Sequence, residues 1–132
     1  CEVPFPNRTL EVTSHPDLFL LGGSDYIIYD YKSGVPPGLD KWVFPYHKLQ
    51  EDGYSFVLEK NGISCSLGCV FYTQDFTMFR LRPIRLDPNR FYQALLMVND
   101  WFDGKLPEYV RISPCNNCSG IEKEECKKMF RW

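Results

Sequence analysis

Residues 53–69, GYSFVLEKNGISCSLGC, decide how the rest of the chain is read. Asn61-Gly62 stands between two runs in which apolar and polar residues alternate, and Asn-Gly is the strongest short-range mark of a two-residue β-hairpin turn. With Lys60 paired to Ile63, Leu58 falls opposite Cys65 and Phe56 opposite Leu67. Those four side chains share one face, and Val57, Glu59, Ser64 and Ser66 take the other. Register and alternation agree, so the stretch reads as a specified hairpin.

The flanking segments extend the same pattern. In DYIIYDYK (25–32) Ile27, Tyr29 and Tyr31 line one face and Tyr26 and Ile28 the other, the mark of a strand covered on both sides. KWVFPYHK (41–48) alternates Trp42, Phe44 and Tyr46 against Val43 and His47, and Pro45, lacking an N–H, places that strand at an edge or a bulge. Between them KSGVPPGLD is a loop. CVFYT continues the strand beyond Gly68, and FTMFRLRPI supplies another that Pro83 ends. Upstream, TSHPDLFLLGG suits a brief helical turn capped by Ser14 and stopped by Gly22, or else an irregular extended segment.

The period then changes. LDPNRFYQALLMVNDWFDG (86–104) places Asp87 as N-cap, Pro88 at the first helical position and Gly104 as the stop. Phe91, Ala94, Leu95, Val98, Trp101 and Phe102 follow the three-four spacing of a buried helix face. EYVRISPC reads as a last strand, and CSGIEKEECKKMFRW as a short helix with Ser119 and Glu122 at capping-box spacing. The fold expected is α+β in a single domain, residues 1–132. An antiparallel meander of about five or six strands carries the 88–103 helix across one face, and a disulfide-stapled C-terminal tail closes it.

Six cysteines, Cys1, Cys65, Cys69, Cys115, Cys118 and Cys126, form an even set in 132 residues. In an extended strand Cys65 and Cys69 lie about 13 Å apart, whereas a disulfide needs Cα atoms within about 7 Å. Each is therefore expected to bridge elsewhere, tying both chain ends to the central hairpin; which of the fifteen connectivities is formed stays open. Zinc is the rival, through Cys-x3-Cys and a later Cys-x2-Cys. It leaves two cysteines over and puts Cys65 in mid-strand, so no metal and no cofactor are expected. A redox role for CNNC lacks its parallel βαβ setting. Two glycosylation acceptor sites, Asn7-Arg8-Thr9 and Asn117-Cys118-Ser119, accompany the cysteines. Together with a start that lacks Met, they point to an extracellular, secreted glycoprotein whose signal peptide is removed.

A net charge of −2, from fifteen basic and seventeen acidic residues, gives nucleic acid no electrostatic handle. No apolar run approaches the eighteen residues of a membrane span. Neither a nucleophile elbow, a phosphate-binding glycine loop nor a His-Glu-x-x-His pattern is present. An N-terminal cysteine with its own amine as base, a Cys1-dependent hydrolase, is the one enzymatic option, and the chain is expected not to be an enzyme.

Two surfaces suggest binding. Arg80 and Arg82, with Arg85 and Arg90 close behind, form a set of planar donors suited to anions, or else a solvated face balanced by Glu59, Asp75 and Asp87. The aromatic residues Tyr29, Tyr31, Trp42, Phe44 and Tyr46 recur at strand spacing, as they do around a cavity or inside a core. A short turn, strands, an amphipathic helix and a last strand follow an order similar, at a coarse level, to the lipocalin family, without its Gly-x-Trp start. Two functions follow as expectations. One is a non-catalytic binding module for a protein partner. The alternative is a carrier of a small apolar or amphipathic ligand in a lipocalin-like cavity. A void beneath the helix favours the carrier, and dense packing there favours the module.

Overall fold

A computed structural model describes residues 1–76 and 81–105. The expected strand 108–115, the helix 118–132, Arg80, Asn117, Cys115, Cys118 and Cys126 lie outside the described residues. Within them the fold is α+β, with two helices and six strands in two sheets. Strands β1 (Glu2–Pro4) and β2 (Thr9–Glu11) form a short antiparallel hairpin. Strands β3 (Leu18–Gly22), β4 (Asp25–Lys32), β5 (Leu67–Tyr72) and β6 (Leu81–Arg85) form a four-stranded sheet in that order. Helix α1 (Pro45–Lys60) connects β4 to β5, and α2 (Pro88–Phe102) follows β6.

The expected meander is corrected at its centre. Residues 45–60 are helical rather than two strands of an antiparallel sheet, so β4 and β5 run parallel, from Ile27 beside Leu67 to Lys32 beside Tyr72. Parallel neighbours need a crossover of a dozen or more residues, and α1 is that crossover. Both signals that suggested strands are helix signals in disguise. Pro45 occupies the first helical turn, where its missing N–H costs nothing. Asn61-Gly62 is the helix stop: Gly62, at φ +78°, donates to the Glu59 carbonyl, and Ile63 N donates to the Leu58 carbonyl at 2.9 Å.

The reason α1 escaped its period lies in what it buries. Glu51, Asp52 and Ser55 are all buried beside Gly53, Tyr54 and Phe56, so the inward stripe is half polar. Beneath α1 the core comprises Ile28, Val43, Tyr54, Cys65, Val70, Tyr72, Ile84 and Leu86. Helix α2 matches its expected span, with Asp87 accepting from Asn89 N at 3.0 Å and Gly104 at φ +75° just past its end. Its position is corrected, because it packs on α1 and not across the sheet. Gly53 allows the approach, since a β-carbon there would stand 2.9 Å from the Phe91 ring. Asp52 pins the start of α2, accepting from Asp87 N at 2.8 Å and from both Nε and Nη2 of Arg90 at 2.5 and 2.9 Å.

Residues 18–22, expected as a helical turn or an irregular stretch, form the regular strand β3. It turns into β4 through a two-residue loop, Gly23-Ser24, between the paired Gly22 and Asp25. Gly23 at φ +70° meets the requirement of a II′ hairpin turn at its first central position.

Arg82 closes the other side of the sheet. It is 1% exposed and pairs with buried Asp75 at 3.1 Å. Its Nη1 donates to the carbonyls of Pro37 and Trp42 at 3.1 and 2.6 Å, fastening the loop that leads into α1. Its guanidinium also lies 5.4 Å from the Trp42 ring and 5.5 Å from that of Tyr72. Trp42 itself sits at φ +63°, costly for a large side chain, and its Nε1 donates to Pro83 at 2.7 Å. Replacing Arg82 by Met should therefore destabilise the fold by about 3–5 kcal/mol in urea unfolding, because a buried ion pair is broken and the Pro37 and Trp42 carbonyls lose their donor. Adding Asp75→Asn should recover part of that loss. Asp52→Ala should cost about 2–3 kcal/mol, since it orphans the Asp87 N–H and frees Arg90.

Candidate functional site

Strand alternation divides the four-stranded sheet into two faces. Ile28, Asp30, Val70, Tyr72, Arg82 and Ile84 are buried on the α1 side. The opposite face carries Leu18 and Leu20 from β3, Ile27, Tyr29 and Tyr31 from β4, Leu67, Cys69 and Phe71 from β5, and Leu81, Pro83 and Arg85 from β6. Both described helices lie on the other side. Tyr31 is 58% exposed, with Leu20 and Leu81 at about half. Tyr31 and Phe71 meet edge to face at 5.5 Å, making an aromatic ridge along the middle of the sheet. An apolar surface of this extent on one side of a sheet is far from the scattered single residues of an ordinary surface.

The candidate residues separate accordingly. Tyr29 and Tyr31 stand on this open face. Trp42, Phe44 and Tyr46 gather instead at the start of α1, where Phe44 and Tyr46 stack at 5.3 Å. There the Tyr72 hydroxyl accepts from Phe44 N at 3.2 Å and shares a hydrogen bond with Nδ1 of His47 at 2.8 Å. Burial holds His47 down to about 4, so it is neutral at physiological pH. Arg82 faces inward with its donors engaged in the fold. Sequence reasoning missed Leu18, Leu20, Leu67 and Leu81. Its available signal was the unbroken LFLL run ahead of Gly-Gly-Ser, a strand followed by a hairpin turn.

Among the described residues no disulfide is formed; Cys1, Cys65 and Cys69 are free thiols there. Burial raises the Cys65 and Cys69 thiols, which keeps them protonated and poorly nucleophilic. No group of three or more His, Cys, Asp or Glu side chains among the described residues is arranged to hold a metal. Asn7 is exposed at the β1–β2 turn, its amide donating to Asp103 at 3.1 Å. The described helices are too short and too polar to cross a membrane.

Among the described residues, clefts border α1 on its flanks. One, of about 490 Å³, opens between Ser55, Glu59, Ser64 and Leu86 and is lined by polar and apolar groups in similar measure. Another, of about 310 Å³, lies between His15, Gln50, Tyr54 and Phe91. Among the described residues the sheet is open and mixed, with four strands.

A second polar grouping lies under α1. Glu51 is completely buried over Gly68, where a β-carbon would stand 2.9 Å from Oε2, and neither of its carboxyl oxygens meets a donor. Asp30 is beside it, with Lys32 Nζ 2.5 Å from Asp30 Oδ2 and bonded also to Gln50. Asp17, accepting from Tyr31 N at 2.8 Å, completes the group. A proton reconciles the two inner carboxyls. Burial first, then the Asp30 charge, pushes Glu51 up to about 9. As a neutral acid it donates to Asp30. Sealed from solvent, this pair is part of the frame and offers a substrate no access.

Comparison with protein-family models and with curated proteins finds no match to this chain.

The buried acid makes stability pH-dependent. Folded Glu51 holds its proton up to about 9 but releases it near 4.5 when unfolded, so its contribution is full below 4.5 and is lost as pH rises towards 9. His47 has the opposite sign between about 4 and 6.5, because there the unfolded chain binds the extra proton. The two cancel below 6.5. From pH 6.5 to 8.5 the unfolding free energy should fall by roughly 1.4 kcal/mol per unit, and Glu51→Gln should flatten that slope in urea titrations. An unchanged slope in the variant would show that another group governs it.

Proposed function

We propose that this protein is a non-catalytic binding module that engages a protein partner through the face of its four-stranded sheet on which neither described helix packs. The observation that carries the reading is the composition of that face: Leu18, Leu20, Tyr31, Leu67 and Leu81 exposed together around the Tyr31–Phe71 pair. Interface centres are rich in tyrosine and phenylalanine and poor in charge, and here Arg85 stands at the margin. The exposed residues come from all four strands, an extent that suits a macromolecule better than a small ligand, which prefers a concave site.

The proposal places the module outside the cell. The two glycosylation acceptors, of which Asn7 is exposed, and the six cysteines support that placement. In an oxidising compartment Cys1, Cys65 and Cys69 find partners among Cys115, Cys118 and Cys126, which closes the even set. Peptide mapping of unreduced secreted protein should then return three such bridges and no free thiol.

A photoreactive phenylalanine analogue tests the binding face directly. Placed at Tyr31 it should yield an adduct with one defined foreign protein on cells that respond to the purified module. Placed at Lys48, on α1, it should yield none. Adducts of equal yield at both positions, or none at Tyr31, would overturn the proposal. A small molecule co-purifying in native mass spectrometry at one per chain would instead establish the carrier.

A further inference from the structure

The two edges of the four-stranded sheet are built differently. An open edge presents unpaired N–H and C=O groups, and proteins that must not associate protect it with proline, charge or an inward-pointing ionic residue. Strand β6 has all three: Pro83 in mid-strand, Arg85 at its end, and Arg82 turned inward. Strand β3 has none. From Leu18 to Gly22 it contains no charge and no proline, and all five residues are exposed, Leu21 at 62%. It is apolar on both faces, since Phe19 and Leu21 share the α1 side with Ile28 and Tyr26 yet remain uncovered there. A continuous apolar strand belongs in the middle of a sheet; this one stands at the end.

We propose that β3 is the pairing edge of a homodimer, in which two copies join antiparallel about a twofold axis at Leu20 to make one eight-stranded sheet. The strand is complementary to itself in that register. Across the axis Leu20 meets Leu20, Phe19 meets Leu21, and Leu18 stands opposite Gly22, where the Ile27 side chain fills the place of the missing β-carbon. The backbone agrees. In a hairpin closed by two residues the flanking pair, here Gly22 and Asp25, exchanges hydrogen bonds, so Leu18, Leu20 and Gly22 direct their polar groups to β4. Phe19 and Leu21 then direct theirs outward, and the register places them opposite each other for four new backbone hydrogen bonds. The aromatic–aliphatic pairs on the α1 side supply the cover that the helices leave out. A contact of one short strand is small, so the dimer is a concentration-dependent equilibrium and not an obligate one. Leu18 and Leu20 belong also to the partner-binding face, but the hydrogen bonds of this association come from the backbone of Phe19 and Leu21.

Sedimentation equilibrium of the full chain tests it. Wild-type protein should pass from 15.5 kDa to twice that mass between micromolar and millimolar concentration. Leu21→Lys, at a position exposed enough to leave the monomer fold intact, should remain at 15.5 kDa throughout. Amide exchange at Phe19 and Leu21 should slow at least tenfold with concentration in the wild type and stay fast in the variant. Leu20→Cys should form an interchain disulfide under mild oxidation that wild-type protein and Tyr31→Cys do not form. A wild-type monomer at millimolar concentration overturns the proposal, as does a dimer that survives Leu21→Lys. Slow exchange at those two amides in a monomer also overturns it, for another part of the chain would then occupy the edge. A foreign adduct at Tyr31 together with a wild-type monomer at millimolar concentration sinks the dimer alone, whereas a β3 dimer without such an adduct sinks the binding module alone.

Discussion

The burial of charge on helix α1 is the constraint from which the rest of this fold follows. Glu51 and Asp52 are adjacent and both fully buried, so they point in different directions around the helix and each needs its own answer from the structure. Asp52 turns towards α2 and is answered by a cation and a backbone N–H, which fixes where α2 begins. Glu51 turns towards the sheet and is answered by a proton and a glycine. Gly68 removes the β-carbon that would collide with it, and Asp30 accepts what the neutral acid donates. A helix secured on two sides this way cannot slide without exposing one carboxyl to the wrong neighbour, which is the specificity that buried polar groups can supply.

The same constraint explains what could be read from the sequence. Helix α2 was legible because its apolar residues keep the helical spacing and its cap, Asp87-Pro88, has one interpretation, although Val98, Trp101 and Phe102, expected on the buried face, are exposed and the buried residue is Asn99. Strands β4 and β5 were legible from alternation. Helix α1 was not, because the residues that reveal a helix by their spacing are, in this one, partly acids and serine. What remained visible was the local alternation of Tyr54, Phe56 and Leu58, and a dipeptide, Asn61-Gly62, that serves a hairpin and a helix end equally well. Pro45 and Gly62 do bracket one helix, and the proline-first, glycine-last asymmetry was the clue that outweighed the turn. Misreading one crossover helix turned a parallel pair into an antiparallel meander, and with it displaced α2 from its place on α1.

The consequence for the candidate site is geometric. Because α1 stacks on the sheet and α2 stacks on α1, both described helices are spent on one side. Among the described residues, the other side of the sheet is left to Tyr31, Phe71 and their aliphatic neighbours. From the sequence these tyrosines were candidates on grounds of spacing alone, and the leucines beside them were not visible as a surface at all. Exposure is a property of layering, and layering depended on the element that the sequence concealed.

The arginines show the reverse case. Arg82 looked like part of a cationic strand face because Arg80 and Arg85 lie near it in sequence, yet alternation in β6 sends it to the opposite side of the sheet from Arg85. There it satisfies Asp75, two loop carbonyls and two aromatic faces at once. A guanidinium has enough donors and enough flat surface to meet all of these, and a lysine in the same place would leave most of them unmet. The contribution of Arg82 is therefore to close the β6 side of the molecule, as an inward charge and as a clamp on the loop that leads into α1. That closure gives the sheet its polarity, with one edge sealed by an ion pair and a proline and the other ending in four uncharged, exposed side chains.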